Sequence, residues 1–232
     1  MREAISPGDT EERRDMSGAR VYRSGLVVAM LVATALVLSG PSMAGEKLKI
    51  GAQMPDFELQ DFNGKTHKLS NYKGKIVVLD FASQECPYSR KADPMISKLS
   101  ADYKDQGVVV LAIDAHNGTE PEAIKAYATE KKLTFAVLKD PMNKYADAVN
   151  AKRTPEMFIV DKEGKLVYHG ALDNQKKHDN PDYVNYIGKA LDELLADKAV
   201  SQPTTPAYGC GIKRAAGGAE KKAKKRDADG EA

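Results

Sequence analysis

The stretch from Lys75 to Arg90 reads KIVVLDFASQECPYSR. Ile76-Val77-Val78-Leu79 is an apolar run of the kind found in strands buried on both faces. It continues through Asp80-Phe81 into a short polar loop and reaches Cys86-Pro87. Proline suits the first position of a helix, where its missing N–H leaves no bond unmade. Cys86 is therefore predicted at the opening of a helix, just beyond the end of a core strand. Free amides and the positive end of the helix dipole favour a thiolate there. An unperturbed thiol, of pKa about 8.5, is only a few per cent ionised near neutral pH.

The chain has 232 residues, a formal net charge of +2 and two cysteines. So small a charge gives nucleic-acid binding no electrostatic support. Cys86 and Cys210 alone make no metal-type cysteine cluster. The first forty-four residues read as targeting sequence. Arg20 and Arg23 precede an apolar run from Leu26 to Leu38, which Ser39-Gly40-Pro41 breaks. Ser42-Met43-Ala44 supplies small residues for cleavage after Ala44, and Met16 is a candidate true start. The run is short for a membrane span, so no stable span is expected after cleavage. An uncleaved anchor is the alternative. Export to the periplasm or the medium would put both cysteines where disulfides persist. Residues 45–214 form the expected domain. Residues 215–232 carry no large apolar side chain and read as a disordered charged tail.

Within the body, Phe57–Gln60 and Thr66–Leu69 flank Asn63-Gly64, a β-hairpin signal. The strand Lys75–Phe81 leads to a helix from Pro87 to about Tyr103, and Val108–Ile113 forms a second buried strand. Pro121–Lys131 is predicted helical, Thr134–Leu138 a strand and Met142–Val149 a short helix. Met157–Val160 and Lys165–His169 pair around a turn at Asp161–Gly164. Asp182–Ala196 closes the domain as an amphipathic helix. This order implies an α/β fold: a central mixed sheet flanked by helices, with an N-terminal β-hairpin and one antiparallel edge.

Several motifs, in this order, resemble the thioredoxin-like superfamily. They are Gly51-Ala52-Gln53-Met54-Pro55-Asp56-Phe57, Glu85-Cys86-Pro87-Tyr88-Ser89, Thr154-Pro155 before a strand, and Phe158-Ile159-Val160-Asp161 through a turn to Leu166-Val167-Tyr168-His169-Gly170. Within that superfamily the chain is similar to the redoxin and peroxiredoxin-like proteins of the alkyl hydroperoxide reductase/thiol-specific antioxidant family. The ending Gly209-Cys210-Gly211-Ile212-Lys213 resembles one peroxiredoxin-like branch. The resemblance implies a thiol oxidoreductase with Cys86 as nucleophile and no cofactor. Ser89 stands where thioredoxin-type reductases carry a second cysteine. Ser83 fits the hydroxyl that peroxiredoxins place three residues before theirs, while Leu79 departs from their proline. Thr154-Pro155 resembles the thioredoxin cis-proline loop, which would leave the Thr154 backbone free to pair with an extended substrate.

Arg90 and Arg153 are candidates for stabilising the thiolate. Ser83, Pro87, Ser89, Thr154 and Pro155 are candidate substrate-binding positions. Glu85 could move a proton or raise the thiol pKa. Cys210 could resolve an oxidised Cys86, form a static disulfide with it, or stay independent. His67, His116, His169 and His178 are scattered, and no metal site is expected. The implied partners are a hydroperoxide or a protein disulfide, with an external thiol as reductant. Peroxiredoxin-like chemistry is favoured, because Ser89 removes the local dithiol. The alternatives are a monothiol disulfide reductase or isomerase, and a binding module without catalysis.

Overall fold

The structure is a computed structural model, described here for residues 48–177 and 179–216. The expected targeting segment, His178 and nearly all of the expected tail lie outside these residues. Thirteen strands and helices follow one another. They are β1 Glu58–Asp61, β2 Thr66–Lys68, β3 Ile76–Ala82, α1 Pro87–Tyr103, β4 Val108–Asp114, α2 Pro121–Glu130 and β5 Ala136–Lys139. Then come α3 Lys144–Ala148, β6 Arg153–Thr154, β7 Glu156–Val160, β8 Leu166–Gly170, α4 Tyr186–Leu195 and β9 Cys210–Gly211.

Seven strands form one sheet in the order β2-β1-β5-β4-β3-β7-β8. β3, β4 and β5 run parallel at its centre. The sequence reading expected one antiparallel edge, and the sheet has two. β7 and β8 flank β3, while the β1–β2 hairpin adds antiparallel to β5. The hairpin thereby covers the edge that β5 would otherwise leave open.

The period of two along β3 divides the core. Val77, Leu79 and Phe81 pack with Phe158, Tyr145 and Ile212 on one face. Ile76, Val78 and Ala82 pack on the other, against Ala92, Ile96 and Leu99 of α1 and Ile187 and Leu191 of α4. Asp80 falls on this second face, under α1. α4 begins four residues later than its periodicity suggests, because Asn185 is its N-cap and accepts a hydrogen bond from the Gly188 amide at 2.9 Å. Among the described residues, no helix is long and apolar enough to cross a membrane.

Candidate active site

β3 delivers Cys86 to the N-cap of α1, with Pro87 at the first helical position. The intervening loop is held from within. The Cys86 amide donates to the Ser83 carbonyl at 3.0 Å, and the Glu85 amide donates to Ser83 Oγ at 3.2 Å. Ser89 Oγ accepts from the Ser83 amide at 3.3 Å. Ser83 and Ser89 therefore shape the loop that carries the thiol.

Opposite the loop, the Thr154–Pro155 peptide bond is cis. The Cys86 thiol donates to the Thr154 carbonyl at 2.9 Å. Glu156 braces this turn from beneath. Its buried carboxylate accepts from the Lys152 and Arg153 amides at 2.6 and 2.8 Å, and pairs with His169 Nε2 at 2.7 Å. Burial pushes the Glu156 carboxyl up, but hydrogen bonds from His169 and the two amides outweigh it and hold it below its ordinary value. Its stabilising contribution is therefore present above the ordinary glutamate pKa and lost as pH falls through the lower, folded value. Glu156→Ala, which strands three donors, is expected to cost about 2–4 kcal/mol at pH 7. The cost should shrink in acid; denaturant unfolding at both pH values measures it.

The edge of Arg153–Thr154 is already paired. Residues 203–215 return across it as a strap, and β9 runs antiparallel to β6, with Cys210 opposite Thr154 and Gly211 opposite Arg153. This ladder sets Cys210 Sγ 2.8 Å from Cys86 Sγ, both as free thiols. On the near side the strap is tied to β8: the His169 amide donates to the Pro203 carbonyl at 3.0 Å, and the Thr205 amide to the His169 carbonyl at 3.2 Å. On the far side Ile212 enters the core, its amide donating to the Lys152 carbonyl at 3.0 Å. Lys213 pairs with Glu85, and Arg214 with Asp147 at 2.9 Å. Tyr208 donates to Asp173 at 2.8 Å and meets Tyr88 edge-to-face, with ring centroids 5.9 Å apart.

Cys86 is 1% exposed and Cys210 is half-buried. Burial raises the Cys86 pKa, but hydrogen bonds, first that of the Cys210 thiol, with the Ser89 and Cys210 amides, outweigh it and bring it down to about 7. The Cys210 thiol moves the other way, pushed up first by its hydrogen bond to Cys86 and then by burial and the neighbouring charge. Cys86 therefore ionises more readily than an ordinary thiol.

The two arginines take other places. Arg153 donates from its guanidinium to the Gly209 carbonyl at 3.0 Å, which pins the strap rather than the thiolate. Arg90 is exposed, and its charge bears on Tyr127. Hydrogen bonds, that of the Cys210 thiol first, lower the Cys86 pKa. Glu85 is engaged by Lys213. Among the described residues, His67 pairs with Asp61 at 3.0 Å, and no cluster could hold a metal ion.

One residue of the site escaped the sequence reading. Asp80, six residues before Cys86, is fully buried in β3, and neither carboxylate oxygen has a hydrogen-bond partner. Burial first, then the charges of Asp93 and Cys86, push its pKa well above the ordinary range. The signal was present: a carboxylate interrupting an apolar strand.

Comparison with known proteins agrees with the geometry. The AhpC/TSA family model matches residues 50–169. The thiol-disulfide oxidoreductase ResA of Geobacillus kaustophilus is 32% identical over 149 residues, covering 63% of this chain and 83% of that protein. A solved structure of an uncharacterized conserved protein from the same species is 30% identical, with a TM-score of 0.68, covering 74% of this chain and 95% of that one. A hypothetical protein of Sinorhizobium meliloti has the same TM-score at 29% identity, covering 74% of this chain and 98% of its own. A match over half the chain, on a sheet that presents a helix-capping thiol to a cis-proline turn, places this protein in the AhpC/TSA family, among the thiol oxidoreductases of thioredoxin fold.

Proposed function

We propose that this thiol oxidoreductase cycles Cys86 and Cys210 between a dithiol and an intramolecular disulfide, exchanging with disulfides of other proteins. The observation that carries the reading is the 2.8 Å separation of the two sulfurs across the β6–β9 ladder. Ser89 removes the adjacent partner thiol of thioredoxin-type sites, and Cys210 brings one back from 124 residues away in sequence. Arg153, Gly209 and the Lys213–Glu85 pair act as positioning groups for that second thiol. The similarity to ResA, named a thiol-disulfide oxidoreductase, supports the disulfide substrate class. Export would place the couple where such disulfides form. The test is turnover: the protein with a thiol reductant should reduce a disulfide-bonded protein substrate catalytically, and a rate equal to that of the reductant alone would overturn the reading.

A second reading is peroxide reduction. It is favoured by the near-complete burial of Cys86, which a molecule as small as hydrogen peroxide can reach more readily than a polypeptide can. Cys86 would be oxidised to a sulfenic acid, and Cys210 would condense with it, releasing water. Arg153 is engaged by the Gly209 carbonyl and Arg90 is exposed, which weighs against it as the principal activity.

In either reading Asp80 is the proton-handling group beneath the couple. With its pKa raised by burial, it can exchange a proton as charge develops at Cys86. The two titrations interact, so Cys86 thiolate absorbance should rise with pH in two steps in the wild type. Asp80→Asn should remove the Asp80-linked step and leave the titration of the coupled Cys86–Cys210 pair. The sign of the stability effect also follows. A carboxyl whose folded pKa is raised destabilises the fold once pH exceeds its unfolded value, so Asp80→Asn should be more stable than the wild type at pH 7. Thermal unfolding across pH checks this.

A further inference from the structure

The backbone edge that would receive an extended substrate is filled by the protein's own strap, with Cys210 opposite Thr154. The strap is not a loosely hinged lid. The β8 pairing secures it before the crossing, and Ile212 together with the Asn117 amide–Lys213 carbonyl bond at 2.9 Å secures it after. The Ala215 amide donates to Asn143 Oδ1 at 2.7 Å further on. Beneath it Cys86 is 1% exposed, and above it Cys210 is half-buried. A thiol–disulfide exchange needs three sulfurs nearly in line, and the approach to Cys86 Sγ from the Thr154 side is taken by Cys210 Sγ.

Resting on the Cys86–Cys210 couple proposed above, we infer that exchange with polypeptide disulfides and thiols enters through Cys210, and that Cys86 is the internal thiol that closes or opens the intramolecular disulfide. In the reducing direction, Cys210 passes its proton to the Cys86 thiolate and attacks one sulfur of the substrate disulfide. The substrate's other sulfur leaves as a thiolate and takes that proton from Cys86. The Cys86 thiolate so regenerated attacks Cys210 Sγ, forms the Cys86–Cys210 bond and releases the second substrate thiolate, which takes the second proton from solvent, where the couple released it when Cys86 first ionised. Two electrons and two protons pass from the couple to the substrate. In reverse, a partner thiolate attacks Cys210 and expels Cys86. The lowered pKa of Cys86 makes it the better leaving group in this direction, as the exchange requires. The order of events is the opposite of one in which the thiol at the helix start meets the partner first.

The two directions give two tests. First, Cys86→Ser and Cys210→Ser, each checked for native circular dichroism, are mixed with a disulfide-linked dimer of a short cysteine peptide. Cys86→Ser should form the mixed disulfide faster by about tenfold or more, since serine at 210 leaves the strap in place over Cys86. Second, oxidised wild-type protein is mixed with excess glutathione, acid-quenched and mapped by mass spectrometry. Glutathione should be found on Cys210. Faster capture by Cys210→Ser, or glutathione on Cys86 in the wild type, would overturn the inference. Failure of the wild type to form a Cys86–Cys210 disulfide on oxidation would instead remove the couple on which the inference stands.

Discussion

Cys86→Ser should lower turnover of a disulfide substrate by at least about a thousandfold while leaving the fold intact. The side chain is almost isosteric, and its neighbours in the folded protein are the Cys210 thiol and the Thr154 carbonyl, both of which a hydroxyl can meet. The chemistry does not survive the change. A serine hydroxyl cannot form the internal disulfide, so a mixed disulfide on Cys210 has nothing to displace it. The variant should therefore show two signatures together: loss of steady-state turnover and accumulation of protein joined covalently to its substrate. Mass spectrometry of the trapped species measures the second directly. Turnover within a few-fold of wild type would show that Cys86 is a structural thiol.

The second large effect is expected at Gly209. Its φ is +110°, and a Cβ there would lie 2.1 Å from the Thr154 carbonyl oxygen and 3.2 Å from Pro155 Cδ. Both obstacles are parts of the cis-proline turn, which Glu156 holds rigidly from below. Gly209→Ala must therefore move the strap, at a cost of about 1–3 kcal/mol or more. Moving it separates the two thiols. A displacement of about 1 Å at a reacting pair can cost on the order of a hundredfold in rate, so oxidation to the intramolecular disulfide should slow by about that factor. Cys86 should at the same time become open to alkylation. Gly211→Ala is the control, because a Cβ there meets nothing within 4 Å. It should leave closure of the disulfide near the wild-type rate. Equal behaviour of the two variants would mean that the strap does not set the geometry of the thiol pair.

The strands and helices of the central sheet were legible because local signals agreed. The apolar runs of β3 and β4, the proline at the start of α1 and the Asn63-Gly64 turn each pointed to the same fold. Helix α4 was legible in kind but not at its start, where the Asn185 cap overrode the hydrophobic period. The second antiparallel flank was not legible. Where a hairpin docks is decided by an open sheet edge far away in sequence, and the hairpin's own residues do not encode it. The same holds for the strap. Residues 203–215 show proline, threonine and glycine, but their register against Arg153–Thr154 comes from anchors at His169, Lys152 and Asn143. The 2.8 Å approach of Cys86 and Cys210 rests on that register, so the sequence left their relation open. Long, flexible side chains are less legible still. Arg90 lies one turn beyond Cys86 and is exposed, while Arg153 reaches over to the strap. Asp80 is hidden by its setting, a single carboxylate within an apolar, fully buried strand.

The decisive measurement is to oxidise the fully reduced protein with one equivalent of a small disulfide, block remaining thiols, and map the product by peptide mass. One intramolecular species is expected, with Cys86 joined to Cys210 and no free thiol left. Protein that keeps both thiols free, or that carries the reagent on one cysteine without closing the pair, would contradict it.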